Sequence, residues 1–86
     1  GLEELMSDKK YPFGIVVRER RLQQGLTQEA LAERAGVSLR WIQFLESGEQ
    51  PSITSFLRLA DGLECEAGLL LRDFQAAWRE AGREKD

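Results

Sequence analysis

The chain has 86 residues, 42% of them hydrophobic and 31% charged, the profile of one soluble globular domain with a small core. It has no histidine and one cysteine, Cys65, which rules out an intramolecular disulfide and leaves almost no basis for zinc, other transition metals or a histidine-dependent triad. The net charge of −3 has the wrong sign for a nucleic-acid binder, but residues 9–24 carry a net +4 and residues 59–86 a net −3, so the distribution matters more than the sum.

No apolar run approaches the roughly 20 residues of a membrane span. The polar start GLEELMSDKK has no signal-peptide pattern. These features predict a cytoplasmic binding protein rather than an enzyme, with no cofactor and no metal.

Residues 1–11 read as a flexible N-terminal segment, with a docked turn at Leu2, Leu5 and Met6 as the other reading. Pro12 suits a first helical turn. A helix then runs from Phe13 to Gln24, with Phe13, Val17 and Leu22 as apolar contacts, and Gly25 stops it. Thr27 is an N-cap, and Leu26 with Leu31 forms a hydrophobic staple. Leu31 and Ala35 supply the inner face, and Gly36 ends this second helix. The device then repeats. Ser38 caps a third helix, Val37 and Ile42 staple it, and Gly48 ends it. The connection Gly36-Val37-Ser38 is short and begins with glycine, as helix-turn-helix geometry requires.

Within VSLRWIQFLESG, helical winding places Ile42 and Leu45 on one side. Arg40, Gln43, Phe44 and Ser47 fall on the other, where an aromatic ring buries nothing. Ser52 caps a fourth helix to about Gly62, with Ile53, Leu57, Ala60 and Leu63 as its inner stripe. Cys65 takes a small apolar slot. A fifth helix covers about Ala67 to Ala81, with apolar residues at Ala67, Leu70, Leu71, Phe74, Ala77, Trp78 and Ala81. The fold class is all-α with five helices. A core at residues 12–66 is followed by a C-terminal helix and tail at 67–86.

The stretch LTQEALAERAGVSLRWIQFLESGEQPSITSFLRLADGLE resembles the phage-repressor and Cro type of helix-turn-helix domain, the XRE family. The resemblance spans roughly residues 13–71. It rests on Gly25-Leu26-Thr27-Gln28, Leu31-Ala32, Ala35-Gly36-Val37-Ser38, Ile42, Leu45-Glu46, Gly48, Pro51-Ser52, Leu57-Arg58-Leu59-Ala60 and Leu63. It implies a lambda-repressor-like fold and a recognition helix, residues 39–47, that enters the major groove of double-stranded DNA.

On that helix Arg40 suits guanine O6 and N7, and Gln43 suits adenine or phosphate. Leu39 and Phe44 suit a thymine methyl, while Ser47 reads as a solvated helix end. The resemblance further implies that Gln28 contacts the DNA backbone and braces the recognition helix. Thr27 and Ser38 offer hydroxyls to phosphate beside their capping role. Arg18 is either a phosphate contact or an ordinary solvated arginine. Arg21 and Glu46 are expected to form a structural ion pair tying the first and third helices. The loop SGEQPS departs from the family by placing Glu49 and Gln50 where cations often stand.

The family commonly dimerises, and Leu70, Phe74 and Trp78 are the expected homodimer seam. Packing of Phe74 and Trp78 on the first helix is the other reading. The leading function is a sequence-specific regulator on a palindromic operator. The alternative is a protein-interaction module that uses Leu39 and Phe44, a reading favoured by the net acidity and by Glu49.

Overall fold

The computed structural model describes residues 11–85. Five helices follow in order: α1 Phe13–Gln23, α2 Gln28–Ala35, α3 Leu39–Glu46, α4 Ile53–Gly62 and α5 Ala67–Lys85. No strand occurs among the described residues, so the fold is all-α as the patterns predict. The turn considered at Leu2, Leu5 and Met6 lies outside the described residues, as do residues 1–10 of the segment expected to be flexible; Tyr11, the last residue of that segment, is instead held by a backbone hydrogen bond and by ring contacts.

Local chemistry sets the helix starts. Thr27 Oγ1 accepts from the Ala30 N–H at 3.0 Å, Ser38 Oγ from the Trp41 N–H at 3.0 Å, and Ser52 Oγ from the Ser55 N–H at 3.1 Å. Each satisfies one of the donors that a helix start leaves unpaired. Gly36 closes α2 with φ 70°, a left-handed conformation that costs glycine nothing. The Val37 N–H then reaches back to the Ala32 carbonyl at 3.0 Å, and the chain turns into α3. Here the two staples are seated: Leu26, Leu31 and Ile42 are buried and Val37 is half-buried against the core. The end of α4 uses no glycine in this way. Glu64 adopts φ 53°, and the Cys65 N–H reaches the Ala60 carbonyl at 3.0 Å.

The core is one cluster drawn from all five helices. Val17, Leu31, Ile42, Leu45, Leu59, Leu63 and Leu70 are fully buried in it. Cys65 is half-buried beside it, as its apolar slot implies, and burial pushes its thiol pKa up.

Several face assignments differ from the sequence expectation. Leu22 is exposed, and Val16 takes its place inside α1. On α4, Ile53 and Leu57 face outward, because the stripe that meets α2 and α5 is rotated toward Phe56 and Leu59. On α5 the stripe is narrower than expected. Leu71 and Trp78 are exposed, while Leu70 and Phe74 are inside.

The last point corrects the expected dimer seam. Leu70 is 0% exposed and Phe74 4%, so their side chains are spent within one protomer. Phe74 stacks on Phe13 with ring centroids 4.8 Å apart and meets Phe56 edge-on at 5.3 Å. Trp78 lies along Tyr11 and Phe13, at 6.5 and 6.1 Å. The aromatic residues of α5 therefore cover the start of α1. The Tyr11 N–H also donates to the Gly48 carbonyl at 2.7 Å, tying this cluster to the loop that follows α3.

Candidate nucleic-acid interface

A helix as short as α3 must be held at its inner face. Two contacts with α1 do this for α3. The first is steric. Gly14 is buried against the end of α3, and a Cβ there would strike the Leu45 carbonyl oxygen and stand 2.8 Å from Glu46 Cα. Only a residue without a side chain permits that approach.

The second contact is polar. Arg21 Nε donates to Glu46 Oε2 at 2.8 Å and Nη2 donates to Glu46 Oε1 at 3.0 Å, a bidentate pair. Arg21 Nη1 donates to the Leu26 carbonyl at 2.8 Å. Gln28 Nε2 completes the group by donating to Glu46 Oε1 at 3.2 Å. Both charged side chains are buried. The hydrogen bonds to Glu46 raise the Arg21 pKa against the opposing effect of burial, so the guanidinium stays charged.

One carboxylate thus joins α1, the start of α2 and α3. The structure brings Arg21, Glu46 and Gln28 together as one unit. It also leaves the Glu46 carboxylate charge-paired. Arg18, Gln43 and Ser47 border the same shallow groove.

Outward from this unit, Arg40, Gln43 and Phe44 are exposed on α3, and Phe44 keeps 54% of its surface in solvent. Trp41 is half-buried on the flank. Leu39, expected at the shoulder of the outer face, is half-buried and packs against the core. That leaves Phe44 as the large exposed apolar side chain of α3. Thr27 and Ser38, both exposed, mark the starts of α2 and α3. Ser47 is tied locally, its hydroxyl donating to the Phe44 carbonyl at 2.6 Å.

Sequence reasoning missed three supports. Gly14 reads in sequence only as a weak point in a helix. Gln24 Nε2 donates to the Leu63 carbonyl at 2.6 Å and joins the end of α1 to the end of α4. Arg20 pairs with Asp73 at 2.6 Å, joining α1 to α5. These partners lie 39 and 53 residues apart, and no local pattern marks them.

A family model described as helix-turn-helix matches residues 17–70, more than half of the chain. The chain belongs to this XRE-type helix-turn-helix family. An uncharacterised helix-turn-helix-type transcriptional regulator of Methanothermobacter thermautotrophicus is 47% identical over 49 residues, covering 56% of this chain and 71% of the relative. Among solved structures, the restriction-modification controller protein C.AhdI of Aeromonas hydrophila is 35% identical with a TM-score of 0.64, over 69% of this chain and 91% of that one. The controller protein C.Esp1396I, solved bound to a 19-base-pair DNA duplex, has a TM-score of 0.69 at 24% identity over 77% of this chain and 89% of that one. At that identity the likeness concerns the fold.

Proposed function

We propose that this helix-turn-helix transcription regulator reads a palindromic operator as a homodimer, with α3 of each copy in the major groove. The observation that carries the reading is the buried Arg21–Glu46–Gln28 unit. It fixes α3 from the inside and leaves Arg40, Gln43 and Phe44 outside. Arg40 is the guanine reader and Gln43 its flanking contact. The exposed starts of α2 and α3, with Thr27, Ser38 and Gln28, suit the phosphates on either side, and Arg18 adds a cation along the same groove. A controller protein of the same fold bound to duplex DNA supports the reading. With Glu49 and Gln50 in the following loop, the phosphate contacts are few and the salt dependence of binding is shallow.

For the dimer seam, the exposed aliphatic residues Ile53, Leu57 and Leu71 replace the buried Leu70 and Phe74. Ile53, 73% exposed, borders one groove with Leu71 and with the edges of Phe56 and Phe74. Three large apolar side chains on adjoining faces of α4 and α5 are what an isologous contact needs.

The test of the reader is Arg40→Ala. Its preference for a selected operator over scrambled duplex falls by about 1–3 kcal/mol, with weak nonspecific binding retained. Discrimination kept at the wild-type level removes Arg40 from the site. For the seam, Leu71→Lys sediments as a monomer at concentrations where the wild type is a dimer. A wild-type monomer at high micromolar concentration refutes the pairing. Protein capture through α3 is the competing use of this face, and it loses one of its two anchors because Leu39 packs inward.

A further inference from the structure

Arg40 and Phe44 stand four residues apart on α3, one above the other on its outer face. The first is a fork of donors. The second has no polar side-chain atom, yet its ring is 54% exposed. Leu39 and Trp41, the other large apolar groups of α3 outside its inner face, are drawn toward the core. Gln43, also exposed, is polar. The outer face therefore has one concentrated apolar spot. Its backbone is held, because the Phe44 carbonyl accepts from the Ser47 hydroxyl at 2.6 Å.

In the major groove, nearly everything a base pair presents is a hydrogen-bond donor or acceptor. The apolar exception is the methyl group on C5 of a pyrimidine. A phenyl ring over a polar base edge removes water without replacing its hydrogen bonds, which is unfavourable. Over a C5-methyl group the same ring gains contact area. One turn of helix rises about 5.4 Å, against about 3.4 Å per base pair. Phe44 thus falls one or two base pairs from the guanine assigned to Arg40.

We infer that Phe44 makes this interface a reader of C5-methyl groups. One position in each half-site is chosen as a 5-methylpyrimidine, either thymine or 5-methylcytosine, through the methyl group itself. This rests on the DNA reading proposed above. It goes beyond it in making affinity at that position depend on methylation when the base is cytosine.

The experiment starts with selection of tight-binding duplexes from a random DNA library by the full chain. Each thymine of the selected site is then replaced by uracil, which lacks only the methyl group. At one position per half-site the replacement weakens wild-type binding about fourfold, the worth of one buried methyl group. Phe44→Ala shows almost no such difference, and Phe44→Leu retains it. At the same position, 5-methylcytosine opposite guanine binds more tightly than unmethylated cytosine opposite guanine. Cooperative unfolding of each variant confirms that it is folded.

Uracil replacement without effect at every position overturns the inference while leaving the DNA reading intact. So does an equal effect on wild type and Phe44→Ala, because another group then reads the methyl. No enrichment in the selection overturns the DNA reading itself, and the inference with it.

Discussion

α3 and α5 each carry two aromatic side chains about one turn apart, and the two pairs have different fates. On α3, Trp41 is half-buried and Phe44 faces water. On α5, Phe74 is enclosed between Phe13 and Phe56, and Trp78, still 55% exposed, leans on Tyr11 and Phe13. Both helices are amphipathic, and neither fate follows from periodicity alone. α3 is packed by α1 and α2 on its inner side, and among the described residues no helix crosses its outer face. α5 is met by both α1 and α4. An aromatic ring is buried when another element arrives over it. The unoccupied face of α3 and the occupied face of α5 show how the same residue type stays in solvent in one place and supplies cohesion in the other.

The largest effect expected from breaking this contrast is on the α5 side. Phe74→Ala removes the ring that joins Phe13 to Phe56 and costs about 3–5 kcal/mol of unfolding free energy, read by urea denaturation. Were Phe74 a seam residue instead, the variant would keep its stability and lose its dimer.

Next is the polar anchor of α3. Glu46→Ala leaves Arg21 buried with its main partner gone and costs about 3 kcal/mol. Replacing both together, Arg21→Met with Glu46→Leu, recovers most of that loss, because the penalty lies in the unpaired charge. A double variant no more stable than Glu46→Ala would show that the hydrogen bonds to Leu26 and Gln28 carry the anchor instead.

The smallest change sharpens the steric contact. Alanine is ordinarily the better helix former by about 1 kcal/mol. At Gly14 the added methyl group meets the backbone of α3, so Gly14→Ala destabilises by about 1–3 kcal/mol and weakens operator binding as α3 is pushed out. A stabilised variant with unchanged binding would remove Gly14 from the positioning of α3.

The starts of α2, α3 and α4 and the end of α2 were legible in the chain because their causes are local, whereas α5 runs on to Lys85, past the end expected at about Ala81. A hydroxyl three residues before the N–H it accepts from, and a glycine able to turn left-handed, act within a few residues. The outward direction of Phe44 was legible for a similar reason. Ile42 and Leu45, buried to 0% and 1% exposure, claim the inner side of a helix only eight residues long. The pairing of Arg21 with Glu46 was legible only by resemblance to a family, since nothing in the spacing of 25 residues requires it.

Other features were not legible for the converse reason. The stripes of α4 and α5 were misjudged because both helices have more apolar residues than one face can bury. Ile53, Leu57 and Leu71 satisfy the helical period as well as Phe56, Leu59 and Leu70 do. The choice between them depends on where α2 and α1 lie. Gly14 shows the same limit, since helix propensity counts it as a defect and only the approach of α3 makes it necessary.

What the sequence determined by itself was therefore the set of elements: five helices, the hydroxyl caps of three of them, the turn between α2 and α3, and a third helix with Arg40, Gln43 and Phe44 on one side. These follow from interactions within a few residues. What only the tertiary structure decided was how those elements are used. It buried Phe74 of α5 within the protomer, left an aliphatic face between α4 and α5, and braced α3 through Glu46. Those outcomes depend on contacts between residues far apart in the chain, as between Arg21 and Glu46, 25 positions apart, or Phe13 and Phe74, 61 apart (74 − 13), and are set by mutual packing that no single helix encodes.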